Sequence, residues 1–244
     1  NDTAVTGQDI GPAGVALSLS SGTTITARLA VGCDGRRSGV AERAGIHRSG
    51  WSYEQTALVC AVTHEHPHQG AAHQFFMPGG PLAILPLPGG HRSSIVWSLP
   101  TRDAEALKLL DDAAFLEVLR PAFGDFLGDI ALAGGRFSYP LSLSLADHYI
   151  RPRLALAGDA AHGVHPVAGQ GLNLGLRDVG ALAEVLVDAA RRGEDIGSTL
   201  VLERYQAWRR PDATTLALGM DGVNRLFATD NPAVAGLRGA GASW

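Results

Sequence analysis

The stretch GDAAHGVHPVAGQGLNLG, residues 158–175, follows the apolar run LALA at 154–157 and precedes a long segment of helical spacing. A short, wholly apolar run closed by Gly158 reads as a strand buried on both faces. The proline-bearing loop and the glycines at the helix start then bring backbone N–H groups and the positive end of a helix dipole to the carboxyl end of that strand. Open α/β sheets bind their ligands at this place, so the stretch predicts an α/β fold with a site at its centre. Gly169 and Gly171 have the G-x-G spacing of a dinucleotide fingerprint, but the third glycine is Gly175, and Leu174 stands where the fingerprint needs it.

The departure redirects the chemistry. Asp159 lies at the strand end, where a carboxylate would repel a phosphate but accept hydrogen bonds from a polyol. The helix start favours a delocalised anion. Flavin offers both partners, a ribityl chain for Asp159 and a ring that carries negative charge when reduced for the helix start. The competing reading of Asp159 is a plain N-cap.

The bulk numbers fit this. The chain has 244 residues, 45% of them apolar and 18% charged, as a folded globular protein does, and its net charge of -4 argues against a nucleic-acid surface. Cys33 and Cys60 form no C-x-x-C pair, so neither a disulfide framework nor a zinc site is expected. No apolar run approaches the ~18–20 residues of a membrane span. A cytoplasmic location is expected.

Working outward, VALSLSSGTTITARLAVGCD at 15–34 reads as a hairpin about residues 20–22, ending on a glycine turn at Gly32-Cys33-Asp34-Gly35, with a short helix over 36–46. Residues 82–88 and 95–99 read as a hairpin about Gly89-Gly90, and 103–119 as two short helices. In FSYPLSLSL at 137–145, apolar side chains at every second position mark a half-buried strand. The middle of the chain is thus a sheet with helices on one side. After Gly171, Leu172, Leu176, Val179, Ala183 and Leu186 form the apolar face expected to meet the core. A last helix from Ser198 carries Val201, Tyr205 and Trp208 on one side, with a kink expected at Pro211.

GDAAH with HPVAGQGLNLGLRD resembles the second FAD motif of single-component flavin aromatic hydroxylases, in particular the H-P-x-A-G-Q-G-x-N-x-G-x-x-D pattern of the ubiquinone-biosynthesis hydroxylases. VGCDGRRSGV at 31–40 is similar to the same family's Asp-Gly motif. The resemblance implies a partial FAD/NAD(P)-binding domain of the p-hydroxybenzoate-hydroxylase type, α/β, with an inserted, mainly antiparallel sheet forming an α+β substrate domain. The expected division is 1–49 and 151–244 for the FAD-binding domain and 50–150 for the substrate domain.

The resemblance also implies roles. Asp159, with Gly158 and Ala160, would meet the ribityl chain; Pro166 would line the flavin face where oxygen reacts; Gly169, Gln170, Gly171, Leu172 and Asn173 would contact the ring; Asp34 and Gly35 would support the pyrophosphate region. Where the Asp-Gly motif commonly has arginine this chain has Ala41, and Arg36, Arg37 and Arg43 are the candidate substitutes. The implied reaction uses FAD, O2 and NAD(P)H, with oxygen delivered through a flavin C4a-hydroperoxide to a phenol ring, and it calls for no acid–base triad. His162 and His165 are accordingly read as backbone-positioning residues, and His64, His66 and His68 as a polar stretch with no metal.

Phe75, Phe76, Leu85 and Trp97 are candidate pocket walls, with core packing as the alternative reading. The expected partner is an aromatic, prenylated small molecule, with peripheral association at the inner membrane or in a biosynthetic complex. The family's opening G-x-G-x-x-G unit is absent, which suggests a fragment that by itself binds FAD weakly and is inactive. A related flavin hydroxylase, a prenyl-lipid reductase and a non-catalytic scaffold are the competing readings.

Overall fold

The computed structural model describes residues 3–166 and 169–228. It divides into two compact units, Asn1–Trp51 with Leu143–Asp221, and Ser52–Ser142 with Gly222–Trp244. The first opens with an antiparallel meander, β1 (Val5–Ile10), β2 (Val15–Leu19) and β3 (Thr24–Ala27), in that order. The expected hairpin is present as β2 and β3. Its second run does not stay whole: β4 (Ala30–Gly32) leaves the meander to join another sheet, and α1 (Gly39–Arg43) follows. Ser38 caps α1, its Oγ accepting from the Ala41 N–H at 3.0 Å, and Gly45 at φ +62° takes the chain out.

The second unit is built on a twisted antiparallel sheet. β5 (Arg48–His64) enters it from the first unit and pairs with β8 (Arg92–Pro100), which pairs with β7 (Gly80–Pro86), which pairs with β6 (His73–Met77). The β7–β8 hairpin turns at Gly89 and Gly90, both at positive φ. α2 (Thr101–Lys108), α3 (Asp112–Phe123) and β9 (Ile130–Leu132), which pairs with the other edge of β5, complete it. Register places Leu58, Trp97 and Leu82 side by side on one face. There they form a core with Phe115, Leu119 and Phe123 of α3. Trp97, a candidate pocket wall, is therefore a core residue, because its register partners face the helices. Phe76 and Leu85 point to the opposite face and are 43% and 40% exposed. Phe75, on the helix side, packs against Phe126.

The histidine-rich stretch ends β5. His64 Nδ1 bonds the His66 carbonyl and its Nε2 bonds Ser93 Oγ, while His68 Nε2 bonds the Leu87 carbonyl. These rings serve as hydrogen-bonding cross-links of a turn. Among the described residues no group of three His, Cys, Asp or Glu side chains is placed to hold a metal ion.

β10 (Phe137–Ala146) leads back to the first unit. Of its alternating apolar side chains Leu141 and Leu143 are buried, whereas Phe137 and Tyr139 are 59% and 56% exposed. β11 (Ile150–Arg151) and β12 (Leu154–Leu156) follow, and β12 is flanked by β11 on one side and by β4, in parallel, on the other. All three β12 side chains are fully buried, as a strand covered on both faces requires. Gly32 faces it so closely that a Cβ there would lie 2.8 Å from Val40 Cγ1 and 2.9 Å from Leu156 Cδ2. β13 (His162–Gly163) pairs with the end of β10.

Two long helices follow, α4 (Gln170–Arg191) and α5 (Thr199–Ala228), the latter running on past the end of this unit at Asp221. On α4 the sequence reading chose the wrong face. Leu172, Leu176 and Val179 are 74%, 59% and 55% exposed, whereas Leu174, Asp178, Ala181, Leu182, Val185 and Ala189 are buried. Both stripes repeat at helical spacing, and a charged residue, Asp178, lies in the inner one, so the apolar pattern favoured the outer. α5 repeats the lesson. Val201 and Tyr205 are buried as expected, but Trp208 is half exposed and Arg209 takes the inner position. Pro211 stands inside α5 without ending it.

Candidate functional site

The site is built where β12 stops. Gly158, at φ +63°, starts a single 3-10 turn, Gly158–Ala160, directly after the strand. A non-glycine residue would be strained there. Gly175 of α4 lies against it, a Cβ on Gly175 falling 3.5 Å from the Gly158 Cα. The misplaced third glycine of the fingerprint thus marks the closest approach of helix and turn. The turn sets the Asp159 side chain at the surface, 39% exposed, where its Oδ2 accepts from Arg36 Nε at 3.0 Å.

Arg36 also reaches the other end of the loop, donating to the Val164 carbonyl at 2.6 Å. Arg48 binds the same loop from a second direction, to the Asp159 carbonyl at 2.8 Å and Ser144 Oγ at 2.9 Å. Burial lowers the Arg48 pKa despite the Asp159 carboxylate, and Arg36 adds to the lowering. His165 is buried, and desolvation, then the Arg36 charge, push its pKa down to about 4, so the ring is neutral at pH 7.

Beneath the loop is a buried ionic cluster. Asp178 is fully buried and accepts from the Gly158 N–H at 2.8 Å, from His162 Nε2 at 2.5 Å and from Arg209 Nε at 2.8 Å. Burial opposes its ionisation; the bonds from His162, Arg209 and Gly158 outweigh that and hold the carboxyl below its ordinary range. Arg209 in turn donates to Asp212. The cluster ties the turn, α4 and α5 together.

α4 starts with Gly169 in the left-handed region, with no side-chain cap and no acidic residue in its first turn. Helix geometry gives its first N–H groups no acceptor within the helix itself. Gln170 and Gly171 are partly exposed, Leu172, Asn173 and Pro166 exposed. Val167 and Ala168 of the same motif lie outside the described residues. Asp34 and Gly35 are near the loop through Arg36, but both Asp34 oxygens are engaged at the start of α1, accepting from Ser38 Oγ at 2.5 Å and the Val40 N–H at 3.0 Å. Of the three candidate arginines, Arg36 reaches the loop, while Arg43 folds back over Gly39 and Ala41 is buried.

Comparison with known proteins agrees with this geometry: the FAD binding domain family matches residues 3–218. The chain belongs to that family. It is 50% identical over 228 residues to ubiquinone hydroxylase UbiL of Rhodospirillum rubrum, covering 93% of this chain and 53% of the relative. It is 39% identical over 226 residues to 3-demethoxyubiquinol 3-hydroxylase of Escherichia coli, covering 92% and 57%. The chain thus spans about half the length of these curated relatives. Among solved structures, a probable FAD-dependent monooxygenase, pqsL of Pseudomonas aeruginosa, matches with a TM-score of 0.78 and 26% identity over 96% of this chain and 66% of that one.

The residues at hand fit an FAD-binding-domain role. A surface carboxylate suits polyol hydroxyls, and a helix start with no side-chain cap and no acidic residue in its first turn suits the electron-rich edge of a ring. Sequence reasoning missed Arg36 as a partner of Asp159, Arg48, and the Asp178–Arg209 pair. Asp178 is the last residue of the quoted motif, and that was the available signal.

Proposed function

We propose that this FAD-binding-domain chain carries the flavin loop and the substrate sheet of an FAD-dependent monooxygenase that hydroxylates an aromatic, prenylated phenol ring in ubiquinone biosynthesis, with O2 and NAD(P)H as co-substrates. One observation carries the reading: the Asp159 carboxylate and the uncapped start of α4 flank one loop in a chain of this family. The names of the two relatives support the substrate class.

In this reading Asp159 binds the ribityl chain, the Gly169–Asn173 backbone meets the ring, and Pro166 lines its reactive face. Bound flavin supplies the redox and oxygen chemistry. The chain's own residues supply position and field. The helix dipole of α4 favours negative charge on the ring, neutral His165 adds no further cation to the two arginines on the loop, and the Asp178 cluster fixes the turn that presents Asp159. The exposed sheet face with Phe76 and Leu85 is the proposed wall for the apolar substrate. In this reading a prenylated substrate is collected at a membrane surface by a peripheral contact; among the described residues no helix is long and apolar enough to cross a membrane.

The test uses protein expressed from its complete reading frame. We expect a flavin absorbance spectrum, and NAD(P)H oxidation accelerated by short-chain prenylphenols, with one oxygen atom added to the ring by mass spectrometry. Colourless protein after FAD loading, or hydroxylation confined to small soluble phenols, refutes the assignment.

A further inference from the structure

Arg36 is bound at three points of the loop that follows β12, although 123 residues of sequence separate it from Asp159. Its Nε donates to one oxygen of the Asp159 carboxylate, its Nη2 donates to the Val164 carbonyl, and its side chain packs over Gly163. A Cβ on Gly163 would meet Arg36 Cγ, Cζ and Nε at 3.3 to 3.4 Å, tighter than ordinary packing allows. Gly163 is therefore the floor on which the guanidinium rests. Two charge-assisted bonds to acceptors five residues apart need a planar fork, which arginine has and lysine lacks.

We propose that Arg36 is the positioning residue that straps the 159–165 loop and holds the Asp159 carboxylate at the angle from which its second oxygen accepts a ribityl hydroxyl. Arg36 acts through Asp159, so it is distinct from the residues that touch the cofactor. Its bond to Oδ2 leaves Oδ1 for the polyol, and its charge compensates the carboxylate beside an anionic ring. The strap itself stands on the geometry; its consequence for flavin rests on the function proposed above.

Three substitutions separate the parts of this device. Arg36→Met removes fork and charge, Arg36→Lys keeps the charge without the fork, and Gly163→Ala keeps both and crowds the floor. The first readout needs no cofactor: hydrogen exchange of amides 159–165, with amides of β5 to β8 as an internal control. Loop exchange should accelerate about tenfold in Arg36→Met and Arg36→Lys and less, in the same direction, in Gly163→Ala, while the control amides stay unchanged.

The second readout is His165 titration by NMR, which rises in Arg36→Met and stays low in Arg36→Lys, an outcome that general loosening would not produce. The third is FAD affinity of protein expressed from its complete reading frame, which should fall about tenfold in Arg36→Met. Unchanged loop exchange in both Arg36 variants overturns the strap. Unchanged FAD affinity with a loosened loop overturns its role in presenting Asp159. Wild-type protein that binds no FAD defeats the proposed function instead, and loop exchange still decides the strap.

Discussion

Replacing Asp178 by asparagine tests how much of the first unit hangs on one carboxylate. Asp178 is fully buried and accepts three bonds, from Gly158, His162 and Arg209. Asparagine has nearly the same shape, but one of its two acceptor ends becomes a donor. If its carbonyl faces Gly158 and His162, its amide meets the Arg209 guanidinium, which is 3% exposed and among the described residues keeps Asp212 alone as an ion-pair partner. Removing one partner of a buried pair costs about 3–5 kcal/mol, most of it the penalty of the stranded charge. For a chain of this size ~1 kcal/mol moves the melting temperature by roughly 2–4 °C, so a fall of about 6–20 °C is expected. The assay is thermal and urea unfolding followed by circular dichroism. Arg209→Met alone should cost a comparable amount, and the double variant Asp178→Asn/Arg209→Met should be more stable than the two single losses added together. A single Asp178→Asn variant within about 1 kcal/mol of the parent would refute the argument, since it would mean that the cluster carries no net charge interaction.

Three other outcomes are expected. Gly32→Ala places a methyl group below 3.0 Å from Val40 and Leu156, and overpacking of this kind should cost about 1–3 kcal/mol in urea unfolding. The His165 pKa is depressed from 6.5 to about 4, so the unfolded chain binds more protons between those values; stability should be whole above pH 6.5 and fall as pH drops toward 4, by about 3 kcal/mol at most, and His165→Asn should flatten that part of the pH–stability curve. Asp159→Ala should weaken FAD binding by roughly tenfold or more in a fluorescence titration while leaving the melting temperature of cofactor-free protein within ~2 °C, because the ion pair with Arg36 is partly exposed.

The elements that the sequence exposed most clearly are those with one unambiguous pattern. The run LALA gave a strand covered on both sides, Gly89-Gly90 gave a hairpin turn, and the quoted loop gave the strand–turn–helix that holds the candidate site. What it hid has a physical pattern too. The helix α4 is apolar on two faces, and the inner face includes a charge that burial normally forbids; only the facing Arg209, supplied by α5, reveals why Asp178 belongs inside. The β4 strand hid within a longer β-rich run because its partner lies far along the chain. The long β5 gave no clear boundary, since its first half is largely exposed and only the half from Gln55 onward is packed. Arg36 shows the same limit: local spacing named it as one of three substitutes for the missing arginine, but only the fold decides which of them reaches Asp159.

The pairing of β4 with β12 also sets an order of events during synthesis. The first strand of that sheet leaves the ribosome with its parallel neighbour still untranslated, and residues 52–142, the sheet-bearing segment of the second unit, are made in the interval. Closing so long a loop is entropically slow, and each halving of its effective length returns about 0.6 kcal/mol. A nascent chain whose inserted unit has already condensed therefore closes its nucleotide-type sheet faster than one refolding from denaturant, where both units collapse together and the exposed edge of β4 competes for wrong strands.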